Sequence, residues 1–210
     1  MKYYFDTEFI EDGKTIDLIS IGIVAADGRE YYAINCECDY SKASDWVLEN
    51  VLTPMGLDRD GFKTINRRME IAQEQGENDL LEKMINTVLH GSNKNRNVIK
   101  EEVVRFVFNC ENEHLSYEDL LAMSTNENPD HIFYAYYADY DWVVFCQLFG
   151  TMMDLPKGFP MYCRDIKQLC DELGNPKLPE QGKGEHNALE DARWNRKAYL
   201  WLRDYQINRT

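Results

Sequence analysis

The chain has 210 residues, with 23 basic and 37 acidic side chains and a formal net charge of -14 at pH 7. This length favours one domain with a sizeable hydrophobic core. The acidic balance argues against a protein that grips nucleic acid over a broad basic face, whereas an enzyme that holds phosphates through metal ions needs only a local basic track.

The N-terminus and the cysteines indicate a cytoplasmic protein. Lys2 is followed within four residues by Asp6, before any apolar signal-peptide segment forms, and no apolar run is long enough to span a membrane. The six cysteines are scattered through apolar stretches, as is usual for reduced thiols. Cys36 and Cys38 are the only close pair, and because a zinc site would want a second pair, we interpret them as strand residues.

The first 38 residues predict three sequential antiparallel strands. The first contains Tyr4 to Phe9 and ends in a turn signal at Gly13. Residues 15–26 are rich in Leu, Ile and Val and predict a buried strand. Asp27-Gly28 is typical of a hairpin turn, and residues 30–38 form the third predicted strand.

The middle of the chain is expected to be helical. Ser41 is the expected cap of the first helix, and Ser116 with Asp119 marks the start of a short one. The three longer predicted helices cover residues 42–51, 79–90 and 97–110. Because much of this region is polar and interrupted by glycine, we expect a helical insertion at about 53–128 within a single domain of residues 1–210.

From His131 onward, strands and helices alternate. A strand at 131–138, a helix at 139–148, an extended piece around Met161 and Tyr162, and helices at 165–173 and 187–206 follow one another. Three antiparallel strands followed by this alternation predict an α/β protein, with a mixed five-stranded sheet flanked by helices.

Two carboxylates stand out in the first strand. Asp6 and Glu8 share one face, because strand side chains alternate with a period of two. Adjacent acids in an apolar strand are unfavourable unless a cation holds them, and a divalent ion is the simplest such cation. The alternative is a strand end that reaches solvent, where both acids are hydrated.

A third acidic position follows the strand at 131–138. Asp139 is expected to cap the next helix, which leaves Asp141 in its first turn at the carboxyl end of a strand. Ligands of open α/β sheets usually bind at strand ends.

The start of the last helix brings a histidine near an acid. Asn187 with Glu190 forms a capping box, so that His186 precedes the cap and Asp191 is the fourth helical residue. These two positions normally touch. The alternative is that His186 is an exposed loop residue and Asp191 only a favourable charge near a helix N-terminus.

Together these residues resemble the three exonuclease motifs of the DEDD superfamily. Asp6-x-Glu8, Tyr140-Asp141, and His186 five positions before Asp191 occur in the order and on the elements expected of that superfamily. The histidine at this spacing looks like the DEDDh branch; the other branch would have a tyrosine where Asn187 stands.

The N-terminal region also resembles a narrower family. The run from Phe5 to Gly13, the segment Leu18 to Gly22, the segment Asp27 to Ala33, and Cys146-Gln147-Leu148 are similar to the polyadenylate-specific 3'-5' exoribonucleases called RNase AS. Residues 53–128 look longer than and unlike the corresponding part of that family, so the preference for polyadenylate is not carried over.

The resemblance implies an RNase H-like fold that binds two Mg²⁺ or Mn²⁺ ions about 3.5–4 Å apart. By position, Asp6 would bridge the ions, Glu8 and Asp191 would complete the first site, and Asp141 would hold the second. His186 would be the general base, because an imidazole titrates near neutral pH. The four acids by themselves also favour hard cations of this kind.

The expected substrate is the 3' end of RNA, cleaved to nucleoside 5'-monophosphates. Phe9 and Ile10 are candidates to contact the terminal base, although core packing explains them equally well, and Lys183 lies near the His186 loop. Further candidates for a nucleic-acid track are Lys63, Arg67, Arg68, Lys94, Arg96 and Lys100. The alternatives are a 3'-5' exonuclease acting on single-stranded DNA and a non-catalytic binding module. The family suggests a homodimer.

Overall fold

Six strands form one mixed sheet in the computed structural model, which describes residues 1–61, 65–77, 79, 93–112, 114–123, 131–182 and 184–209. The strands are β1 (Lys2–Glu11), β2 (Ile16–Ala25), β3 (Glu30–Asn35), β4 (Asn93–Lys94), β5 (Ile132–Ala135) and β6 (Arg164–Asp165). They lie side by side in the order β4-β3-β2-β1-β5-β6.

Helices cover the sheet. They are α1 (Asp45–Val47), α2 (Ile65–Gln75), α3 (Arg96–Phe108), α4 (Tyr117–Met123), α5 (Asp139–Gln147), α6 (Ile166–Glu172) and α7 (Ala188–Ile207). The α1 helix continues as a π-helix, Leu48–Leu52, and a 3-10 turn, Thr53–Met55; two more 3-10 turns are Tyr40–Lys42 and Met152–Asp154. No helix in the described ranges is long and apolar enough to cross a membrane.

The β1 strand lies near the centre of the sheet and extends past one of its neighbours. It pairs antiparallel with β2 from Tyr3 to Glu11. Its parallel pairing with β5 covers only Lys2 to Tyr4. The carboxyl half of β1 therefore borders an opening at the end of β5, the place where α/β sheets commonly bind ligands.

Alternation along β1 divides the core between two faces. Tyr3 and Phe5 pack with Phe133 and with the apolar sides of α3 and α5. Tyr4 points to the other face and packs with Tyr134 against α6 and α7. Because Asp6 and Glu8 have the parity of Tyr4, their side chains emerge on the α7 side of the sheet.

The predicted α/β class with a mixed sheet flanked by helices is confirmed. The sheet contains one strand more than the predicted five, because the two residues of β4 pair with β3 at its edge. The helices predicted at 97–110, 139–148, 165–173 and 187–206 are found as α3, α5, α6 and α7. The helix predicted at 79–90 falls outside the described residues, apart from position 79.

Two predicted helix caps are wrong. Ser44 and not Ser41 caps α1, with the Ser44 side chain accepting a hydrogen bond from the Val47 backbone N–H. The cap residue of α5 is Ala138, which has no side-chain acceptor, and Asp139 is the first helical residue. The tight turn at residues 136–138 brings the chain into α5 without a capping side chain.

Candidate active site

Asp6 and Glu8 lie on one face of β1 beside the opening that follows β5. They pair with Gly22 and Ser20 of β2, respectively. The β1–β2 register shifts between Glu8 and Phe9, and such a bulge bends the strand. The pair of acids predicted from the strand period is therefore placed at the strand-end position where ligands are expected.

Gly22 allows α7 to lie directly on the sheet at this point. A Cβ atom at Gly22 would lie 2.3 Å from the Ala188 carbonyl oxygen and 2.4 Å from the Leu189 backbone nitrogen. Because these are backbone atoms, a side chain here would push the first turn of α7 away. An isolated glycine in a strand often marks such a close approach, so the sequence contained a signal for this contact.

The start of α7 follows the predicted capping geometry in part. The Asn187 side chain accepts hydrogen bonds from the Leu189 and Glu190 backbone N–H groups, at 3.1 and 3.2 Å. The reciprocal bond of a capping box is replaced, because the Glu190 carboxylate pairs with Arg193. The cap still places Asp191 one turn into the helix, on the side that faces β1.

Three carboxylates converge as a result. Asp6, Glu8 and Asp191 each offer an oxygen, and these oxygens all lie within 4.8 Å of one another. Burial and the charges of Asp141, Glu8 and Asp191 raise the pKa of Asp6 well above its usual range. Burial and the Asp191 charge raise the pKa of Glu8 to about 8. Without a cation, the cluster therefore holds protons at neutral pH.

Asp141 lies next to this cluster but outside its 4.8 Å group. It is buried, and its Oδ1 accepts hydrogen bonds from the Thr7 backbone N–H at 2.8 Å and from Thr7 Oγ1 at 2.6 Å. Burial raises the pKa of Asp141 to about 6, although the two bonds from Thr7 oppose the rise. Asp141 thus occupies the edge of β1 beyond the last residue that pairs with β5.

His186 lies beside Asp191 in a left-handed backbone conformation with φ 68°. Its charge and its backbone N–H oppose the rise in the pKa of Asp191, so His186 lies close to that carboxyl group. Its ring meets the Trp46 ring edge to face, with the centroids 4.8 Å apart. Trp46 is 54% exposed, so the imidazole is held between the acidic cluster and an aromatic ring at the surface.

Two polar residues that the sequence did not single out hold α7 and Asp191 in place. The Gln181 side-chain amide donates to Asp191 Oδ1, from the loop before α7. The buried Asn195 amide donates to the Phe5 carbonyl oxygen at 2.9 Å and so ties α7 to β1 next to Asp6. No local sequence pattern announces either contact, because each joins residues that are distant in the chain or part of an irregular loop.

The donor set fits a hard divalent cation. The four acids have raised pKa values, and burial is the largest cause for each. No Lys or Arg in the described ranges forms an ion pair with any of them. Closely spaced carboxylate oxygens without a protein cation are the ligands that Mg²⁺ and Mn²⁺ prefer.

The three residues predicted to contact the substrate lie in different surroundings. The half-buried Phe9 ring packs against Tyr140, with the centroids 5.8 Å apart. Ile10 is buried in a core cluster with Ile19 and Ile34. Lys183 lies outside the described residues.

The basic residues suggested as a nucleic-acid track are engaged elsewhere or are not described. Lys94 pairs with Glu102 at 2.6 Å, and Arg96 pairs with Asp17 at 2.6 Å. Lys100 lies over the Tyr117 ring at 4.8 Å. Lys63 and the side chains of residues 67 and 68 are outside the described part of the chain.

The fold and the acidic cluster define an α/β protein with a carboxylate site suited to divalent cations. The family described as the 3'-5' exoribonuclease Rv2179c-like domain matches residues 1–202. The chain belongs to this family.

Two similar proteins come from Mycobacterium tuberculosis. One is the 3'-5' exoribonuclease Rv2179c of strain ATCC 25618 / H37Rv, and the other is the 3'-5' exoribonuclease MT2234.1 of strain CDC 1551 / Oshkosh. Each is 33% identical to this chain over 193 residues, which cover 92% of this chain and 88% of the relative.

Proposed function

We propose that the protein is a 3'-5' exoribonuclease that requires two Mg²⁺ or Mn²⁺ ions and releases nucleoside 5'-monophosphates. The observation that carries this proposal is the convergence of Asp6, Glu8 and Asp191 within 4.8 Å in a member of an exoribonuclease family. The proposal assigns the chain to the DEDDh type, because His186 lies beside Asp191.

The proposed ligand roles follow from position. Asp6, whose pKa is raised by the charges of the other three acids, would be a ligand shared by both ions; Glu8 and Asp191 would complete the first site; and Asp141 would serve the second. Two bound ions would supply positive charge for the phosphate and for the leaving 3' oxygen and lower the pKa of the attacking water. Thr7 fixes the Asp141 carboxylate through two hydrogen bonds.

His186 is the proposed general base. Water would attack the phosphorus of the terminal phosphodiester while the imidazole accepts the proton of the water. The bond from phosphorus to the 3' oxygen would break, and that oxygen would take a proton from solvent to become the new 3' hydroxyl. The contact with the Trp46 ring orients the imidazole. Phe9 would contact the terminal base and Lys183 would contact a phosphate, whereas Ile10 is buried in a separate core cluster.

Matched RNA and DNA oligonucleotides, labelled at either end, test this function. We expect the RNA to shorten from its 3' end with Mg²⁺ or Mn²⁺, and excess chelator to stop the reaction. Equal or faster shortening of single-stranded DNA would assign a DNA exonuclease of the same mechanism. No shortening of either strand, or shortening that survives the chelator, would contradict the proposal.

Three wider proposals accompany this function. The chain forms a single domain of residues 1–210 with a helical insertion at about 53–128, and the packing of Ile99 and Val103 of α3 in the same core as Phe5 of β1 supports one domain. It forms a homodimer, as the resemblance suggests, and it acts in the cytoplasm. Sedimentation tests the oligomeric state, and limited proteolysis tests for one protected body.

A further inference from the structure

A cavity of about 710 Å³ lies along β5 and β6, apart from the acidic cluster. Its lining includes side chains from four elements, β1, β5, β6 and α7. On these four elements, the lining side chains that carry a charge or a hydroxyl group are Lys2, Tyr134, Arg164, Asp165, Tyr199 and Arg203.

Two buried phenols connect the cations of this cavity. Tyr134 and Tyr199 are each 5% exposed, and their hydroxyl oxygens lie 3.3 Å apart. Lys2 Nζ donates to the Tyr199 hydroxyl at 3.0 Å, and Arg164 Nη1 donates to the Tyr134 hydroxyl at 3.5 Å. The phenols therefore hold an ammonium and a guanidinium at the cavity without neutralising them.

These cations lack the acidic partners that Lys94 and Arg96 have. Within the described ranges, Lys2, Arg164 and Arg203 form no ion pair, and Arg203 Nη1 instead bonds to the neutral Gln206 side chain at 2.7 Å. In a chain with a net charge of -14, three cations with neutral partners around one cavity indicate an anionic ligand.

Two of the three acids that line the cavity, Asp165 and Glu172, are directed to their own helix, and the third, Asp139, lies in the first turn of α5. Asp165 caps α6 by accepting a hydrogen bond from the Lys167 backbone N–H at 2.7 Å. Glu172 accepts a hydrogen bond from Gln168 at 3.3 Å. Both carboxylates thus have donors within α6, and the basic residues face the ligand space on the strands and α7.

One helical turn separates the cavity from the proposed active site. In the first turn of α5, Asp141 points inward to Thr7, whereas Asp139 and Trp142 line the cavity. Exposed rings accompany both places: Tyr140, in the first turn of α5, is 53% exposed and packs on Phe9, and Tyr162 is 61% exposed at the cavity. Rings alternating with cations are typical of surfaces that bind single-stranded nucleic acid.

We propose that this cavity binds the RNA strand upstream of the 3' end, with phosphates at Lys2, Arg164 and Arg203 and a base stacked on Tyr162. The proposal rests on the proposed exoribonuclease function and deepens it. It replaces the basic track expected in the middle of the chain, where Lys94 and Arg96 are neutralised by acids.

Binding without turnover tests the cavity directly. Fluorescence anisotropy of a labelled ten-nucleotide RNA, in chelator, compares the wild type with Arg164→Gln/Arg203→Gln. We expect the Kd to rise roughly tenfold or more, because two charge-assisted contacts are lost. The slope of log K against log salt should fall by about 1.4, which is two phosphate contacts at about 0.7 each for single strands.

The matched control is Lys177→Gln/Arg209→Gln, which removes the same charge from residues that do not line the cavity. It should leave the Kd and the salt slope unchanged. Tyr162→Leu, which keeps the charge, should also weaken binding through loss of stacking. Equal effects of the cavity and control pairs would overturn the proposal, because only net charge would then matter.

Turnover separates this proposal from the proposed function. The ratio of kcat/KM for the ten-nucleotide RNA to that for a dinucleotide should fall about tenfold in the cavity variant. A wild-type protein that is inactive on every RNA would refute the exoribonuclease function. An active wild-type protein, together with an equal kcat/KM ratio in the cavity double variant and the control double variant, would refute the cavity site alone. A nucleoside monophosphate that displaces the labelled RNA with a Kd equal to that of the RNA would show that the cavity is a product site. The proposal of an upstream strand site would then be overturned.

Discussion

Substitution of Gly22 by alanine should displace the start of α7 and misplace Asp191. The new Cβ would lie 2.3 Å from the Ala188 carbonyl oxygen, whereas ordinary contact begins at 3.4 Å. Since both partners are backbone, the helix must move by about 1 Å, and a misplacement of about 1 Å at a catalytic centre costs roughly a hundredfold in rate. We expect kcat/KM on RNA to fall by about that factor and Mn²⁺ binding to weaken.

The extra methyl group of Gly22→Ala should also lower the free energy of unfolding, by about 1–3 kcal/mol, because it overpacks the contact with α7. Ile21→Val is the matched control, because Ile21 is a buried neighbour in β2 that faces the opposite core. It should cost about 0.5–1.5 kcal/mol and leave the acids in place. The assays are kcat/KM, calorimetric titration with Mn²⁺ and urea unfolding. Wild-type kcat/KM in a folded Gly22→Ala protein, or an equal loss in Ile21→Val, would refute the reasoning.

Three further outcomes are expected. His186→Ala should bind Mn²⁺ with little change but lose turnover by roughly 10²–10⁴-fold, and retained turnover would exclude it as the base. Asp6→Asn should lose Mn²⁺ binding and activity. It should nevertheless unfold at a higher temperature than the metal-free wild type at pH 8, because a buried carboxyl group among other acids must either ionise or take up a proton, each at a cost in stability that the neutral amide avoids; a lower Tm would argue against this account. The pKa is raised to about 8 for Glu8 and to about 6 for Asp141, so the folded protein binds more protons than the unfolded chain at intermediate pH. The stability of the metal-free protein should therefore fall as pH rises from about 4.5 to 8. Added Mn²⁺ should restore this stability in thermal melts. A flat profile would contradict this account.

Several site features were predictable because they are local. The period of two in a strand places Asp6 and Glu8 on one face, and the Asn187 cap places Asp191 one turn into α7. The caps of α1 and α5 were harder, because several candidate residues precede each helix. Ser44 then caps α1 in place of Ser41, and α5 begins after Ala138, which supplies no capping bond.

Contacts between distant segments needed the tertiary structure. Thr7 holds Asp141 across 134 residues, and Asn195 reaches the Phe5 carbonyl across 190. The partners of the cavity cations could not be predicted from the sequence either, because Lys2 and Tyr199 meet only when β1 and α7 pack together.

The sequence by itself determined the α/β plan, the acidic positions and the order of the motifs, because side-chain periodicity and helix capping act over a few residues. The tertiary structure decided which acids converge and which basic residues remain without an acidic partner. Those outcomes depend on strand order, on the early end of β5 and on the close approach of α7 at Gly22. The physical reason is that burial and mutual charge act through space, whatever the separation along the chain.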